Sequence, residues 1–392
     1  MNKSDSERII TVLENIGYQP TSKINEADLI LVNMCSVRQS AVDRVYGLFP
    51  KFKKLKERNQ KLKTILTGCI LKEDKKKFKK RPAPHCAEGS SAGFDLILNI
   101  KDLPNWPKIL KKIKEKTNTI SLPWQKYYVS CDYLKVVPKY QTNSKAFIPI
   151  SNGCNFNCAY CVIPLTRGRL VCRDHNEILK EVENAVKQGF EEIWLLGQNV
   201  NSYRVQRETD AKFTLPNFQK KLGRASAKLT RNKKEINFAK LVKMVNAIPG
   251  DFKILFTSPH PKNFSAELID ILAKCEKFGK YLNLPVQSGN DEILKKMNRN
   301  YTVKEYKNLV KKIRKKIPEI RLSTDVIVGF PGESKEQFEN TVKLFKEIKF
   351  NIAYIAKYSP RPGTTALQLK DNVPLAEKKR REKILGEIIN NK

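Results

Sequence analysis

Apolar residues recur at helical spacing from the start of the chain. Ile9, Ile10, Val12, Leu13 and Ile16 form one stripe, with Ser4 placed to cap a helix and Gly17 to end it. The pattern then becomes continuous over Asp28–Met34, as in a strand buried on both faces, and runs into Cys35. A helical stretch over Val37–Glu57 follows. Thr64–Thr67 predicts a second strand, ending at Gly68-Cys69, and Phe94–Leu98 a third. Helix and strand alternate, so residues 1–116 are expected to form an open parallel-sheet α/β domain.

Residues 117–144, with Pro123 and Pro138, break the pattern and read as a linker. Six apolar strand segments come next: Ala146–Ile150, Glu192–Leu196, Lys253–Phe256, Tyr281–Leu284, Leu322–Val328 and Ile352–Tyr358. Helical patterns fall between them. Six strand–helix units over residues 145–370 predict a partial (β/α)6 barrel rather than a closed eightfold one. Residues 371–392 are expected to form a C-terminal helical tail. Arg204–Glu235 is polar, rich in Lys and Arg, and has no period. It reads as a surface insertion, either merely solvated or touching RNA.

Composition narrows the class. A chain of 392 residues with 40% hydrophobic and 29% charged residues has ample core for two or three globular domains. The net charge of +35 favours a polyanionic partner, with RNA foremost. A lysine-rich codon bias would also produce it, since Lys crowds the solvated faces of 51–63, 72–80 and 108–116. Nine cysteines, scattered and odd in number, favour reduced thiols and metal ligation over disulfides. The N-terminus has no apolar signal core, and the best apolar run, around Ala27–Met34, is far too short to span a membrane. A cytoplasmic protein is expected.

The densest chemistry lies in Cys154-Asn-Phe-Asn-Cys158-Ala-Tyr160-Cys161. Three thiolates at this spacing can hold three irons of a [4Fe–4S] cluster and leave the fourth open to a small molecule. Zinc would want a nearby fourth ligand, usually from a second CxxC pair, and none lies close. Cys35 and Cys69 both fall just past the carboxyl ends of strands, where sites gather in open α/β sheets. Two buried structural cysteines is the alternative reading. The three His and scattered carboxylates suggest no hydrolytic triad.

The CxxxCxxC run with an aromatic before its last Cys resembles the signature of radical S-adenosylmethionine (SAM) enzymes. The wider segments Phe147–Arg169, Leu195–Tyr203, Thr257-Ser-Pro-His-Pro261, Leu284–Gly289, Asp325–Glu333 and Tyr358–Thr364 closely resemble the MiaB-type tRNA methylthiotransferases. Ala27–Arg38 and Thr67-Gly-Cys69 resemble that family's N-terminal domain. The likeness covers nearly the whole chain. It implies 2-methylthiolation of N6-isopentenyladenosine at position 37 of tRNA. Sister branches act on threonylcarbamoyladenosine or on a ribosomal protein.

The resemblance also implies cofactors and partners. A radical-generating [4Fe–4S] cluster would sit on Cys154, Cys158 and Cys161, with SAM on its open iron. Tyr160 would pack near the adenine, and Gln198, Asn199, Gly329 and Glu333 would lie along the SAM site, although their segments equally suit ordinary turns. An auxiliary [4Fe–4S] cluster would use Cys35 and Cys69 with a third cysteine. The family places that third cysteine in a segment inside which this chain begins, so its first strand and third ligand are expected to be missing. Cys86 is the substitute within the chain. Cys131, Cys172 and Cys275 are expected to be structural or solvent-facing. A reductant such as flavodoxin or ferredoxin, a sulfur donor, tRNA and a monomeric state complete the expectation. The family's tRNA-binding β-barrel is expected to be missing beyond residues 373–392. A chain short of one ligand would instead cleave SAM without transferring sulfur, or only bind RNA.

Overall fold

The computed structural model describes residues 1–79, 93–115, 132–142, 144–206 and 235–391. The N-terminal domain comprises α1 (Asn2–Glu14), β1 (Leu29–Cys35), α2 (Gln39–Tyr46), α3 (Phe49–Arg58), β2 (Lys63–Cys69), α4 (Lys72–Lys79), β3 (Leu96–Ile97) and α5 (Trp106–Glu115). Its strands pair in parallel in the order β1-β2-β3. The pleat sends alternate residues to two cores. Ile65 joins Ile9, Val12, Leu103 and Trp106 on one face. Leu66 joins Met34, Val42, Phe49 and Phe78 on the other.

Two details depart from the sequence reading. Ser4 does not cap α1. The helix already begins at Asn2, and Ser4 lies buried in its first turn, where Arg8 donates to its hydroxyl. The stretch 37–57 is two helices rather than one. Gly47 closes α2, and Pro50 sits at the start of α3, where a missing N–H costs nothing but a continuous helix could not pass. Gly17 does end the first helix region, at φ +87°.

The described part of the 117–144 segment is packed rather than loose. Tyr133 and Leu134 are buried in the first core, and the Leu134 carbonyl accepts from Arg8 Nε at 3.3 Å.

The second domain holds β4 (Lys145–Pro149), the short hairpin strands β5 (Ser151–Asn152) and β6 (Val171–Cys172), β7 (Glu192–Leu196), a second hairpin β8 (Arg204–Gln206) and β9 (Glu235–Asn237), then β10 (Lys253–Phe256), β11 (Tyr281–Asn283), β12 (Arg321–Val328) and β13 (Ile352–Lys357). Its helices are α6 (Ile163–Thr166), α7 (His175–Lys187), α8 (Phe238–Asn246), α9 (Ala266–Lys274), α10 (Asp291–Lys296), α11 (Val303–Lys316), α12 (Lys335–Ile348) and α13 (Leu375–Asn390). β4, β7 and β10 form one parallel sheet, and β11, β12 and β13 another. The two join where Ile254 N donates to Lys277 O at 2.7 Å and Gly279 N to Ile254 O at 3.0 Å. Gly279 leaves no room for a side chain there, since a Cβ would stand 2.7 Å from Leu255 Cδ2.

The six strands therefore curve in chain order into the expected partial barrel. Side-chain caps fix the helix starts: Asp174 for α7, Ser265 for α9, and capping boxes at Thr302/Glu305 and Ser334/Gln337. The tail helix α13 is part of the barrel wall. Leu385 is fully buried, and Arg381 pairs with Glu333 behind β12. The 204–235 insertion leaves and returns through the β8–β9 hairpin. Its residues 207–234, like Cys86 and Cys131, lie outside the described residues.

Candidate functional site

The three-cysteine loop grows from the end of β4 and is tied at its base by the β5–β6 hairpin. Gly153 turns it at φ +83°, where a Cβ would come within 2.2 Å of Arg169 O. Cys154 N donates to Gly168 O at 3.1 Å, and Cys161 N to Cys158 O at 3.0 Å. The far side of the loop reaches across the barrel mouth. Ala159 N donates to Met297 O at 2.9 Å, Ala366 N to Ala159 O at 2.8 Å, and Asn298 Nδ2 to Asn157 O at 2.7 Å. The loop is thus anchored both to β4 and to segments following α10 and β13.

Phe156 N donates to Cys154 Sγ at 3.4 Å and Ile163 N to Cys161 Sγ at 3.5 Å. Burial nevertheless pushes the Cys161 thiol up to about 12, and Cys158 and Cys154 push it further the same way. Burial also raises Cys154, with Cys158 adding to it. Buried Arg299 supplies positive charge, donating to Cys158 Sγ at 3.5 Å. Among the described residues, no three His, Cys, Asp or Glu side chains converge closely enough to hold a single metal ion. The donor set fits a polyatomic cluster. It offers three thiols on one anchored loop, which a cationic iron core would draw into thiolate form.

The residues expected along the SAM site divide in two. Gln198 Oε1 accepts from Gly153 N at 2.6 Å, which fixes the turn before Cys154. Asn199 is buried with both amide atoms lacking a full hydrogen bond. It lies near enough to favour the Cys154 thiolate slightly. That leaves a donor and an acceptor for a polar ligand. Tyr160 packs against the cluster formed by Ala159, Met297, Phe330 and Tyr358, and burial holds its phenol well above its ordinary value. Gly329 and Glu333, by contrast, are bound to protein. Glu333 Oε2 accepts from Gly329 N at 2.6 Å and from Arg381 Nη1 at 2.7 Å. A Cβ at Gly329 would strike Lys378 Cγ at 2.4 Å.

Cys35 and Cys69 are register partners at the carboxyl ends of β1 and β2. A hydrogen bond from Cys69 lowers Cys35 to about 6, while that bond and burial raise Cys69. Arg167, fully buried, donates from Nε to Cys69 Sγ at 2.7 Å. Its other nitrogens reach Asp5 Oδ2 at 2.5 Å, Tyr133 Oη at 3.0 Å and Asn2 Oδ1 at 3.2 Å. Gly168, its neighbour, accepts from Cys154 N. One dipeptide therefore touches both cysteine sites.

Sequence reasoning assigned no role to Arg167, Arg299, Phe156 or His260. Phe156, Arg167 and His260 lay inside the segments that carry the resemblance, but nothing in their spacing reports a contact made across the fold. Cys172 is half-buried, and its sulfur accepts from Arg204 N at 3.5 Å. Cys275 is buried, 3.0 Å from Asn246 Oδ1. Among the described residues every cysteine is free, and no helix is long and apolar enough to cross a membrane. A groove of about 580 Å³ lined by Thr11, Glu14, Lys139, Tyr140 and Phe190 includes none of the cysteines.

Two family models match the chain. Residues 148–345 match the Radical SAM superfamily, and residues 1–87 match the family described as "Uncharacterized protein family UPF0004". Among solved structures, the cobalamin- and [4Fe-4S]-bound radical SAM methyltransferase TsrM from Kitasatospora setae superposes with a TM-score of 0.54, covering 92% of this chain and 73% of that one at 14% identity. That likeness shows the fold alone. The barrel and its cysteine loop define a radical SAM enzyme, for which a [4Fe-4S] cluster and SAM are the cofactors.

Curated relatives are closer. The tRNA-2-methylthio-N(6)-dimethylallyladenosine synthase of Clostridium novyi is 39% identical over 390 residues, all of this chain and 79% of that protein. The synthases of that name from Dictyoglomus thermophilum and Carboxydothermus hydrogenoformans are 38% and 37% identical, over 78% and 81% of their lengths. This chain belongs to the family of tRNA-2-methylthio-N(6)-dimethylallyladenosine synthases, radical SAM methylthiotransferases.

Proposed function

We propose that this chain methylthiolates C2 of N6-isopentenyladenosine (dimethylallyladenosine) at position 37 of tRNA. Cys154, Cys158 and Cys161 would hold a [4Fe–4S] cluster, with SAM bound beside it. When bound, these groups supply the radical chemistry that opens an aromatic C–H with no acid–base route. The chain's own residues hold and orient. Arg299 donates to the Cys158 sulfur, Gln198 fixes the turn before Cys154, and Asn199 offers a buried amide to the ligand. Asp325, on β12, accepts from Asn283 Nδ2 at 3.1 Å. Burial raises its carboxyl, and Arg38 and Arg299 oppose that rise. Arg38 comes from the loop after β1, so the N-terminal domain contributes charge to the barrel mouth.

The observation that carries the reading is the Arg167–Gly168 connection between the Cys69 thiol and the Cys154 backbone. A sulfur store at Cys35 and Cys69, as an auxiliary cluster or a smaller sulfur-bearing group, would then stand beside the radical site that uses it. Soluble partners follow: a flavodoxin- or ferredoxin-type reductant, a sulfur donor and tRNA, met in the cytoplasm by a monomer. The net charge of +35 supports the tRNA encounter.

A second reading has its own support. Among the described residues no third cysteine joins Cys35 and Cys69; their neighbours are Asn2, Asp5 and Arg167. A chain loaded only at Cys154, Cys158 and Cys161 would cleave SAM and transfer no sulfur. Nucleoside mass spectrometry of tRNA from a host lacking this modification, complemented with this chain, separates the two. The 2-methylthio nucleoside is expected. Its absence, with deoxyadenosine still released from SAM in vitro, would select the second reading.

A further inference from the structure

His260 follows β10 and takes no part in the contacts assigned above. Its backbone is fixed from both sides. Asn201 Nδ2 donates to His260 O at 2.9 Å, and His260 N donates to Asn201 Oδ1 at 2.8 Å. Its ring lies flat on Phe156, with centroids 4.0 Å and planes 4° apart, and meets Tyr301 edge-on at 5.7 Å. Lys262 N donates to Nδ1 at 3.2 Å, which makes Nδ1 an acceptor and leaves the ring proton on Nε2. Nε2 alone has no partner, although the residue is only 6% exposed. A buried donor left unpaired is costly and uncommon.

The location gives that donor a purpose. Phe156, the ring under His260, lies between Cys154 and Cys158 in the cluster loop. Arg299, which donates to Cys158, also acts on His260. Burial first, then Arg299 and Lys262, press the imidazole down to about 3, so it stays neutral at any working pH. Backbone, ring plane and tautomer are all set, and a single N–H remains.

We propose that His260 is a positioning residue of the radical site, its Nε2–H donating to an acceptor brought by the bound groups, either a cluster sulfur or an oxygen of SAM. The inference rests on the assignment of the cluster to Cys154, Cys158 and Cys161. A neutral donor suits both acceptors, since it adds a hydrogen bond without adding a proton that can leave. Hydrogen bonds to cluster sulfurs raise reduction potentials, so the two acceptors leave different traces.

The test uses the full chain after anaerobic cluster reconstitution, as wild type, His260→Phe and His260→Gln. Phe keeps the ring stack and removes the donor. Gln returns an amide N–H near the Nε2 position. The midpoint potential of the cluster and the Kd of SAM are measured for each. Donation to a cluster sulfur predicts a lowered potential in His260→Phe, unchanged SAM affinity, and recovery in His260→Gln. Donation to SAM predicts roughly tenfold weaker SAM binding in His260→Phe, the worth of one hydrogen bond, with the SAM-free potential unchanged. Wild-type values for both quantities in His260→Phe would overturn the proposal. Should His260→Phe fail to take up iron, His260→Gln is compared with His260→Glu, which has the same shape and cannot donate when ionised. Equal values in that pair would likewise overturn it. Iron uptake by the wild type that does not depend on Cys154, Cys158 and Cys161 is a separate result, and would overturn the cluster assignment itself.

Discussion

The chain presents cysteines in two different settings. Cys154, Cys158 and Cys161 sit on a loop that spans the barrel mouth, where burial resists the ionisation of Cys154 and Cys161. Cys35 and Cys69 sit at the ends of two paired strands, and a buried guanidinium is bonded to one of them. At the loop site burial disfavours the Cys154 and Cys161 thiolates, which an external cation would favour. At the sheet site the hydrogen bond from Cys69 favours a thiolate at Cys35, and the Arg167 guanidinium lies on Cys69 and Asp5. Position alone does not make a cysteine a ligand. The surrounding charge decides when its thiolate exists.

The sharpest way to separate the two sites is to remove one. Replacing Cys154, Cys158 and Cys161 together by Ala should abolish SAM cleavage and remove about four irons per chain, the content of one cubane cluster. Iron analysis and deoxyadenosine release measure both. Replacing Cys69 by Ser should abolish the methylthio nucleoside in tRNA while leaving SAM cleavage within about threefold, since no radical-site ligand is touched. Equal loss of both activities would show that the sites act as one.

Arg167 is where the comparison can be broken. Arg167→Met leaves Asp5 buried without its partner, and about 3–5 kcal/mol of stability should be lost in denaturant titration. Arg167→Lys keeps the charge but loses the fork that reaches Cys69, Asp5 and Tyr133 together, so it should recover only part of that loss. The smallest effect is chemical. In the metal-free protein Cys35 should be alkylated with a midpoint near pH 6, because its thiolate is favoured above that value. Without the hydrogen bond from Cys69, as in Cys69→Ser, the midpoint should move up toward the ordinary thiol range.

Much of this architecture was legible before the structure. All six barrel strands lie within a residue of where their apolar runs place them, because buried parallel strands have no polar face to blur their ends. Cys35 and Cys69 emerged as a matched pair from strand-end position alone. What escaped was decided by distance in sequence. Arg167 meets Cys69 across 98 residues and Arg299 meets Cys158 across 141. No local period encodes such contacts. The division of 37–57 into two helices was missed because helical periodicity outweighed Pro50, which permits a new helix start as readily as it forbids continuation.

Three arginines cross from one domain to the other and are buried at the crossing. Arg8 meets Glu181 at 2.7 Å, Arg167 meets Asp5, and Arg361 meets Asp74 at 2.6 Å. Each domain keeps its own apolar core, so the surfaces they join are salted rather than greasy. During synthesis the first domain is complete before residue 167 and long before residue 361 leave the ribosome. In that interval it shows water the carboxylates of Asp5 and Asp74, which hydrate well, instead of an oily face that would stick to other chains. A seam of this kind lets the newborn half wait in solution for its other half.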